Sequence, residues 1–423
     1  MKEDFLHYLW KYKKFEIGHL KTTSGEAVLI QSVGQHNFNS GPDFFNAKLK
    51  IDEQLWAGNV EIHVNASDWY VHNHEQDPAY DNVILHVVWE HDTDIYRRDG
   101  AVIPTLELKD YMKPDVFHNY KSLFTKGKKW INCEKDFASI DDFILNNWLE
   151  RLFFERLERK SKMIENLLEA SKNDWEAVLF KMLAKNFGLK VNGEAFFSLA
   201  ESIDFSIVRK TQSKQTGLEA LFFGQAGLLV DTIEAAYYLK LKKDYQFLRQ
   251  KFKLNNIHVL PLQFFRLRPP NFPTIRLSQL ASLYAEHHNL FSKIIASDDL
   301  DYFYDLFRVE TSAFWKTHYT FQKTSKPSAK ALTKPFIDLL LINTILPIKF
   351  LYAKQRGRDV SSDLIDLAHK ISAENNSVVK GFNNLKKVAN SAMDSQAIIQ
   401  LKTNYCDVNA CLKCAVGNQL LNK

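Results

Sequence analysis

Two neighbouring segments near the N-terminus alternate apolar and polar residues, and this pattern limits the fold more than any other feature of the chain. They are 46–51 (Asn-Ala-Lys-Leu-Lys-Ile) and 59–64 (Asn-Val-Glu-Ile-His-Val), separated by a turn-like Asp-Glu-Gln at 52–54. A two-residue period is that of a β-strand with one buried face. The sequence therefore predicts a β-hairpin whose second strand carries Glu61 and His63 on the same face.

A turn-like run, Asn39-Ser40-Gly41-Pro42-Asp43, precedes the first of these strands. The predicted hairpin returns Glu61 toward the end of the strand that Asp43 precedes, so two carboxylates and an imidazole share one side. Carboxylate oxygens hold Mg²⁺ or Mn²⁺, and a bound ion activates water for phosphodiester hydrolysis. We therefore predict that Asp43 and Glu61 bind such an ion. The alternative is an ordinary Gly-Pro-Asp turn beside solvent-facing Glu61 and His63.

The order Pro42-Asp43, a gap of 17 residues, and Glu61-x-His63 resembles the PD-(D/E)XK nuclease superfamily, with histidine in the usual place of lysine. A predicted helix at 3–15, strands at 27–33 and 83–89 and a crossover near 67–82 also resemble its core. The resemblance implies an α/β mixed-sheet fold, cleavage of nucleic acid, and His63 orienting or deprotonating water. The whole chain also resembles an uncharacterised bacterial family known only as a domain of unknown function, which implies no activity.

A second Glu-x-Lys motif occurs at Glu107-Leu108-Lys109. Its use with Asp43 would require the last strand to lie beside the strand that Asp43 precedes, leaving two better-formed strands without a role. We therefore rank Glu107 below Glu61.

Histidines are concentrated early in the chain, with eight of the 14 in the first 115 residues. The pair His72-Asn73-His74, followed by Asp77, is suited to a softer ion such as Zn²⁺ or Mn²⁺. The same residues could orient Glu61 and His63 through hydrogen bonds, or they could be hydrogen-bonded loop histidines without a ligand. All three interpretations stay open.

Charge and periodicity both change near residue 115. Residues 1–115 carry 9 Lys and 2 Arg against 11 Asp and 8 Glu, a net charge of −8, while the whole chain has a net charge of +5. After residue 115 the apolar residues recur at helical spacing, above all at 143–170. We predict an α/β domain at 1–115, a linker at 116–139, an irregular all-α domain at 140–400 and a cysteine-rich segment at 401–423.

A basic, proline-rich segment at 266–276 (Arg-Leu-Arg-Pro-Pro-Asn-Phe-Pro-Thr-Ile-Arg) interrupts the helical pattern. Prolines favour an extended loop, which would present Arg266, Arg268 and Arg276 to the phosphates of a nucleic acid. A rigid connector whose arginines pair with acidic residues is the other interpretation.

Three of the four cysteines lie within nine residues, as Cys406-x4-Cys411-x2-Cys414, and the fourth is Cys133. Clustered thiols in a cytoplasmic protein favour a metal over disulfides, and four thiolates suffice for Zn²⁺ or an iron–sulfur cluster. The grouping is similar to a nuclease branch in which cysteines flanking the core hold such a cluster, although Cys133 follows the core here. Free or buried thiols are the alternative.

The function predicted from these patterns is metal-dependent hydrolysis of nucleic acid. The alternatives are an inactive nucleic-acid-binding or scaffold protein with the same fold, and a hydrolase of another substrate at the histidine-rich site. The start of the chain is charged and soon polar, and the apolar stretch 336–351 is interrupted by Asp338, Asn343, Pro347 and Lys349. We therefore expect no signal peptide or membrane span and a cytoplasmic location.

Overall fold

The computed structural model describes residues 1–124 and 129–422. Residues 125–128 of the predicted linker and residue 423 of the predicted cysteine-rich segment lie outside the described residues. The chain forms two compact units: Met1–Trp148 with Lys402–Lys423, and Leu149–Leu401. The range predicted as a linker thus lies in the first unit, and so does the C-terminal segment.

The strands of the described residues lie in the first unit and most of the helices lie in the second, as the periodicities predict. The strands are β1 (Leu20–Lys21), β2 (Ala27–Ser32), β3 (Gln35–His36), β4 (Phe44–Ile51), β5 (Gln54–Asn65), β6 (Val83–Glu90) and β7 (Thr105–Glu107). The α-helices are α1 (Glu3–Tyr12), α2 (Asp68–Val71), α3 (Pro114–Phe124), α4 (Asp142–Ala170), α5 (Trp175–Phe187), α6 (Leu189–Glu201), α7 (Phe205–Thr211), α8 (Gln215–Gln225), α9 (Ala236–Phe252), α10 (Pro273–Glu286), α11 (Leu290–Ile295), α12 (Leu300–Leu306), α13 (Lys334–Leu340), α14 (Leu346–Gln355), α15 (Ser361–Lys370), α16 (Ser377–Leu385), α17 (Ala392–Leu401) and α18 (Ala415–Leu421).

The strands form one mixed sheet with the order β1-β2-β4-β5-β6-β7, and β3 pairs with β4. The predicted hairpin is confirmed: β4 and β5 are antiparallel, with Ile51 opposite Gln54 at the turn. Strand β6 lies parallel to β5, and β7 lies parallel to β6. The fold of this unit is therefore mixed α/β, as predicted, and β5 lies at its centre between an antiparallel and a parallel neighbour.

Helix α1 packs against β5. Its buried residues include Phe5, Leu6, Leu9 and Trp10, which follow the three- and four-residue spacing of an amphipathic helix. The helix ends at Tyr12, and the next residue, Lys13, has a left-handed backbone that lets its amide donate hydrogen bonds to the last turn. This packing brings the polar side of the first turns of α1 toward the start of β4.

Both faces of β5 are covered where it passes the middle of the sheet. Val60, Glu61, Ile62 and His63 are all buried, so the strand alternates in sequence but not in exposure. An apolar cluster includes residues of the segment that joins β5 to β6. Its members are Ala66, Trp69, Tyr80, Val83, Val88, Ile95 and Ile103. Polar side chains of β5 are therefore enclosed and must find partners inside the protein.

The C-terminal segment packs on the first helices of the same unit. Helix α18 contacts α3, and the hydroxyl of Tyr8 donates a hydrogen bond to Asn418 Oδ1 over 3.1 Å. The amide of Asn422 donates to the Tyr8 hydroxyl over 3.2 Å. The last residues of the chain are thus part of the unit that contains the sheet.

The second unit is helical in the residues that the structure describes. Helices α13 and α14 are joined by a π-helical turn at Leu341–Ile345 and form one apolar run, Lys334–Gln355. This run is long and apolar enough to cross a membrane, but 72% of its most apolar window is buried inside the protein. A core helix of a soluble protein has the same properties, so the run is weak evidence for a membrane span.

Candidate functional site

Asp43 and Glu61 lie side by side, and each side-chain carboxylate accepts a hydrogen bond from a backbone amide of the neighbouring segment. The amide of Asp43 donates a hydrogen bond to Glu61 Oε2 (3.0 Å), and the amide of Ile62 donates to Asp43 Oδ2 (3.0 Å). The predicted convergence of these two carboxylates is therefore present. It follows from the hairpin, in which Phe44 pairs with Val60 and so sets Asp43 beside Glu61.

Two residues of α1 complete this carboxylate group. His7 Nε2 lies 3.1 Å from Asp43 Oδ2 and 3.6 Å from Glu3 Oε1. One ligand atom from each of Glu3, His7 and Asp43 lies within 4.8 Å of the others, which is close enough for one metal ion. Oxygen ligands with one imidazole suit Mn²⁺ or Mg²⁺ better than a thiophilic ion. We call Glu3, His7, Asp43 and Glu61 the carboxylate cluster.

The carboxylate cluster is open on one side and buried on the other. The side chains of Glu3 and Asp43 are 40% and 19% exposed, whereas that of Glu61 is 6% exposed. Burial first, and then the charge of Asp43, raise the pKa of Glu61 to about 9. Burial lowers the pKa of His7, but its hydrogen bond to Asp43 and the charges of Asp43 and Glu3 outweigh this and raise it. The neighbouring carboxylates contribute to both shifts, and a divalent cation would neutralise their charge.

His63 points away from the opening and into a group of histidines. Its Nδ1 lies 2.8 Å from Nε2 of His86, and its Nε2 lies 3.0 Å from Nδ1 of His72. Its side chain is 1% exposed. The role implied by the lysine position, orienting or deprotonating water, requires a ring nitrogen that faces the open site. In the structure, both ring nitrogens of His63 instead lie within hydrogen-bond distance of other histidines.

His72 and His74 lie with His63, and all three ring systems offer nitrogens within 4.8 Å of one another. His74 Nε2 is 3.3 Å from Glu61 Oε1, and the His74 ring stacks on Tyr80 with a centroid distance of 3.8 Å. We call His63, His72 and His74 the histidine cluster. Glu61 contacts both clusters. Its Oε1 faces His74, and its Oε2 accepts a hydrogen bond from the amide of Asp43.

Asp77 has a local role in the structure. Its Oδ1 accepts a hydrogen bond from the amide of Ala79 over 2.9 Å, which caps the turn at Pro78–Tyr80. The ligand set that the structure brings together around His72 and His74 consists of His63 and Glu61, and Asp77 does not belong to it.

His63, His74 and the neighbouring His86 are held neutral by their surroundings. Burial, and then the neighbouring His74 and His72, lower the pKa of His63 to about 3. Burial also lowers the pKa of His74, and it lowers the pKa of His86 well below the usual range. Neutral imidazole is the form that binds a metal ion.

The second Glu-x-Lys motif lies elsewhere in the sheet. Glu107 is on β7, which β5 and β6 separate from β4. Its Oε2 accepts the amide of His91 over 3.2 Å, and Lys109 pairs with Glu90 at 3.9 Å. Pairing of Glu107 with Asp43 is therefore excluded by the strand order.

The four cysteines lie in the first unit and act on one another electrostatically. After burial, which is the largest cause, Cys414 and Cys411 raise the pKa of Cys133 to about 12. Burial and then Cys133, Cys414 and Cys411 raise the pKa of Cys406. Over the described residues, the groups of three or more potential ligand atoms that lie within 4.8 Å of one another contain no cysteine. No three of the cysteine sulfurs therefore lie within 4.8 Å of one another in the described chain.

The arginines of segment 266–276 are divided by burial. Arg266 and Arg268 are exposed. Arg276 is 7% exposed, donates hydrogen bonds to Gln279 Oε1 (2.9 Å) and Asn271 Oδ1 (2.6 Å), and stacks over Phe336. Helix α10 begins at Pro273, so the expected extended loop stops short of Arg276. The structure thus corrects the prediction that Arg276 is presented to phosphates.

Comparison with known proteins places the chain in a family. A family model described as "Protein of unknown function (DUF2851)" matches residues 3–377. The chain belongs to this family. The matched range includes the carboxylate cluster, the histidine cluster and Cys133, and it ends before the other three cysteines. No curated protein and no solved structure matches the chain.

Sequence reasoning missed the contribution of α1 to the site. Glu3 and His7 are four residues apart, so they share a helix face, and that spacing was the available local signal. Nothing in the sequence indicates which strand this face meets.

Proposed function

We propose that the carboxylate cluster binds a divalent metal ion and hydrolyses phosphodiester bonds. The observation that carries the proposal is that Glu3, His7 and Asp43 each offer a ligand atom within 4.8 Å of the others. Glu61 lies beside them, because its Oε2 accepts a hydrogen bond from the Asp43 amide over 3.0 Å. In metal-dependent hydrolysis of a phosphodiester, the ion polarises the phosphoryl oxygen and generates hydroxide near neutral pH. Oxygen and imidazole ligands from α1, from the residue before β4 and from β5 can hold such an ion. The order of elements around the site is also compatible with a PD-(D/E)XK-like core.

In this proposal Asp43, Glu61 and His7 hold the ion, and Glu3 closes the ligand set from the exposed side. The ion supplies the acidity that activates the water. His63 acts on the position of Glu61, because its Nε2 is 3.6 Å from Glu61 Oε1 and its ring faces the other histidines.

The surroundings of the open side favour nucleic acid as the substrate. Phe38 is 70% exposed, and the ammonium groups of Lys413 and Lys11 lie 5.4 and 6.0 Å from its ring centroid. His36 links this ring to the carboxylate cluster, since it packs on Phe38 at 4.4 Å and on His7 at 5.3 Å. An exposed aromatic ring between two cations can stack a base and contact the flanking phosphates.

The experiment measures Mn²⁺-dependent cleavage of labelled single- and double-stranded DNA and RNA. Wild-type protein is compared with Asp43→Asn and Glu61→Gln, which keep the shapes of the side chains and remove their charges. We expect each variant to lose more than about 100-fold in rate. Glu107→Gln is the matched control, because Glu107 belongs to the other Glu-x-Lys motif, and its rate should be unchanged.

A catalytically inactive nucleic-acid-binding or scaffold protein is the second candidate. Each carboxylate of the Asp43–Glu61 pair already accepts a backbone hydrogen bond, which gives the pair a structural role without a metal. Nucleic-acid binding by wild type without cleavage in Mg²⁺ or Mn²⁺ would support this candidate and overturn the first.

We further propose that Cys133, Cys406, Cys411 and Cys414 hold an iron–sulfur cluster. A single Zn²⁺ with bonds of about 2.3 Å would bring its sulfurs within about 3.8 Å of each other. The cysteines raise one another's pKa, but over the described chain no three of their sulfurs lie within 4.8 Å of one another. A polynuclear cluster occupies the space between its ligands and fits the wider spacing better.

A further inference from the structure

The histidine cluster has the geometry of a metal site in its own right. Its three histidines come from two places: His63 from β5, and His72 and His74 from the turns that follow α2. Glu61 Oε1 lies next to two of them, His63 and His74. Three imidazoles whose nitrogens lie within 4.8 Å of one another, with a carboxylate oxygen at their side, are ligands of the kind that bind transition metals.

Three of the six separations among these ligand atoms are close to those around a tetrahedral ion. His63 Nε2 is 3.0 Å from His72 Nδ1, His74 Nε2 is 3.3 Å from Glu61 Oε1, and His63 Nε2 is 3.6 Å from the same oxygen. Zinc bonds of about 2.0–2.1 Å place tetrahedral ligands about 3.3–3.4 Å apart. The measured distances lie on both sides of that value, so a small adjustment of the side chains would accommodate the ion.

Neighbouring residues orient the histidine cluster through a hydrogen bond and ring contacts, as is usual for metal ligands. His86 is fully buried, and its Nε2 lies 2.8 Å from Nδ1 of His63. A hydrogen bond from His63 Nδ1–H to His86 Nε2 leaves the lone pair of His63 Nε2 free for a metal. His74 is oriented by the stacked ring of Tyr80 and by the edge contact with Trp69.

One atom of this arrangement has no partner. His86 Nδ1 is buried and makes no hydrogen bond among the residues that the structure describes. A buried nitrogen without a hydrogen-bond partner costs free energy of folding, and hydrogen bonding within the cluster does not offset that cost. The cost is explained if His86 serves to fix the tautomer and orientation of His63 for a ligand.

We propose that His63, His72, His74 and Glu61 Oε1 bind an ion of the zinc class, and that Glu61 bridges this ion to the one in the carboxylate cluster. The inner site does not depend on the proposed function, whereas the bridge rests on it. Imidazole-rich sites select zinc-class ions, and carboxylate-rich sites select Mg²⁺ or Mn²⁺. The result is a two-metal centre in which each ion has its own ligand chemistry.

The inner ion would have a specific effect on the outer site. With Oε1 bound to the inner ion, Glu61 is held as a carboxylate in one orientation, and Oε2 stays directed toward Asp43. A ligand fixed in this way needs no rearrangement when the outer ion arrives. The inner ion therefore positions Glu61, while the outer ion faces the substrate.

The test uses the full chain without a histidine tag, stripped with a chelator and titrated with Co²⁺ or Zn²⁺ in excess Mg²⁺. We expect visible d–d absorption of four-coordinate Co²⁺ and one zinc per chain that the double variant His72→Gln/His74→Gln lacks. Because the comparison is between variants, metal on the cysteines contributes equally and cancels. His19→Gln, at an exposed histidine, is the control and should bind zinc as wild type does.

Two further variants separate this proposal from its alternatives. Asp43→Asn should keep the inner zinc, whereas His86→Gln should weaken its binding by about 10–100-fold, as changes to hydrogen-bond partners of metal ligands do. Equal zinc content in wild type and in the folded double variant would overturn the inner site. Zinc binding with no cleavage would count against the proposed function alone, and cleavage insensitive to the inner ion would overturn the bridge.

Discussion

The backbone amide of Asp43 donates a hydrogen bond to Oε2 of Glu61 over 3.0 Å, although β4 and most of β5 separate the two residues in sequence. In return, Asp43 Oδ2 accepts the amide of Ile62, the residue after Glu61. Each carboxylate is thus oriented by the strand that carries the other. Side chains fixed in this way lose little conformational entropy on binding a ligand, so the exchange preorganises the carboxylate cluster.

His7→Gln should weaken metal binding at the carboxylate cluster, because the cluster loses its one imidazole ligand. We expect the Mn²⁺ concentration for half-maximal cleavage to rise at least about 10-fold, with a smaller change in the rate at saturating Mn²⁺. Calorimetric titration of Mn²⁺ into stripped protein gives an independent measure. His19→Gln is the control. Identical Mn²⁺ titrations for His7→Gln and wild type would remove His7 from the ligand set.

Phe38 and the two lysines beside it should contribute to nucleic-acid binding in different ways. Phe38→Ala should cost about 1–3 kcal/mol in single-strand affinity, the value typical of a stacked base, without changing the salt dependence. Lys11→Ala with Lys413→Ala should reduce the slope of log affinity against log salt by up to about 1.4. Fluorescence anisotropy at several salt concentrations measures both. A slope that Phe38→Ala changes and the lysine pair does not would contradict this assignment.

Arg266 and Arg268 test whether the helical unit also contacts phosphates. Replacing both with Ala should lower the salt slope for double-stranded DNA by up to about 1.8, since each phosphate contact contributes about 0.9. Arg308→Ala is the control, because that arginine pairs with Asp305 at 3.2 Å on the surface. An unaltered slope in the double variant would assign the two arginines to structure. Arg276 is left intact, because its removal would uncover Phe336.

The cysteine group should carry iron. Protein purified without oxygen should be brown and contain about four irons per chain, and Cys411→Ser with Cys414→Ser should remove both the colour and the iron. Without the iron–sulfur cluster, the contact between α3 and α18 would lose the cross-link that the cysteines provide. The thermal unfolding temperature should therefore fall. One zinc per chain in place of iron, lost in the same double variant, would show that a mononuclear site is present instead.

The side chain of Lys160 should make the free energy of unfolding of the helical unit depend on pH. Its ammonium donates hydrogen bonds to Ile342 O (3.1 Å), Asn343 Oδ1 (3.0 Å) and Gln396 Oε1 (2.7 Å). Burial, and then the charge of Arg156, lower its pKa to about 7. Between that value and the unfolded pKa of about 10.4, the unfolded state holds a proton that the folded state has released. Stability should therefore rise as pH increases through this window.

The measurement is thermal unfolding of wild type and Lys160→Met between pH 7 and pH 10. Lys160→Met should flatten the curve by an amount on the order of a few kcal/mol across the window, whereas Lys162→Met, at an exposed position of α4, should not. A wild-type stability that falls over this range would show that the three hydrogen bonds keep Lys160 charged.

Local pattern was sufficient to predict part of the site. The two-residue alternation of 46–51 and 59–64 predicted the hairpin, and the hairpin alone brings Asp43 beside Glu61. The same alternation could not show that β5 is covered on both faces, because burial depends on what the rest of the chain places there. His63 was therefore assigned to an open site although it faces His86 and His72.

Arg276 shows why the sequence of the basic segment predicts only part of its structure. Prolines favour an extended loop, but proline is also favoured in the first turn of a helix, where its missing N–H is not needed. Helix α10 begins at Pro273, and nearly all of its residues are buried, so Arg276 enters the core with the first turn. The contacts that satisfy its guanidinium, Asn271 and Gln279, are local, yet their geometry exists only once the helix has formed.

The return of the last residues to the sheet-bearing unit affects how this chain is made. A ribosome releases residues 1–148 long before residues 402–422, which supply the partners of Tyr8 and the surface against which α3 packs. Until residues 402–422 have been made, helix α1, and with it Glu3 and His7, lacks part of its support. The carboxylate cluster is thus expected to be complete only once those residues have left the ribosome and packed on α1 and α3.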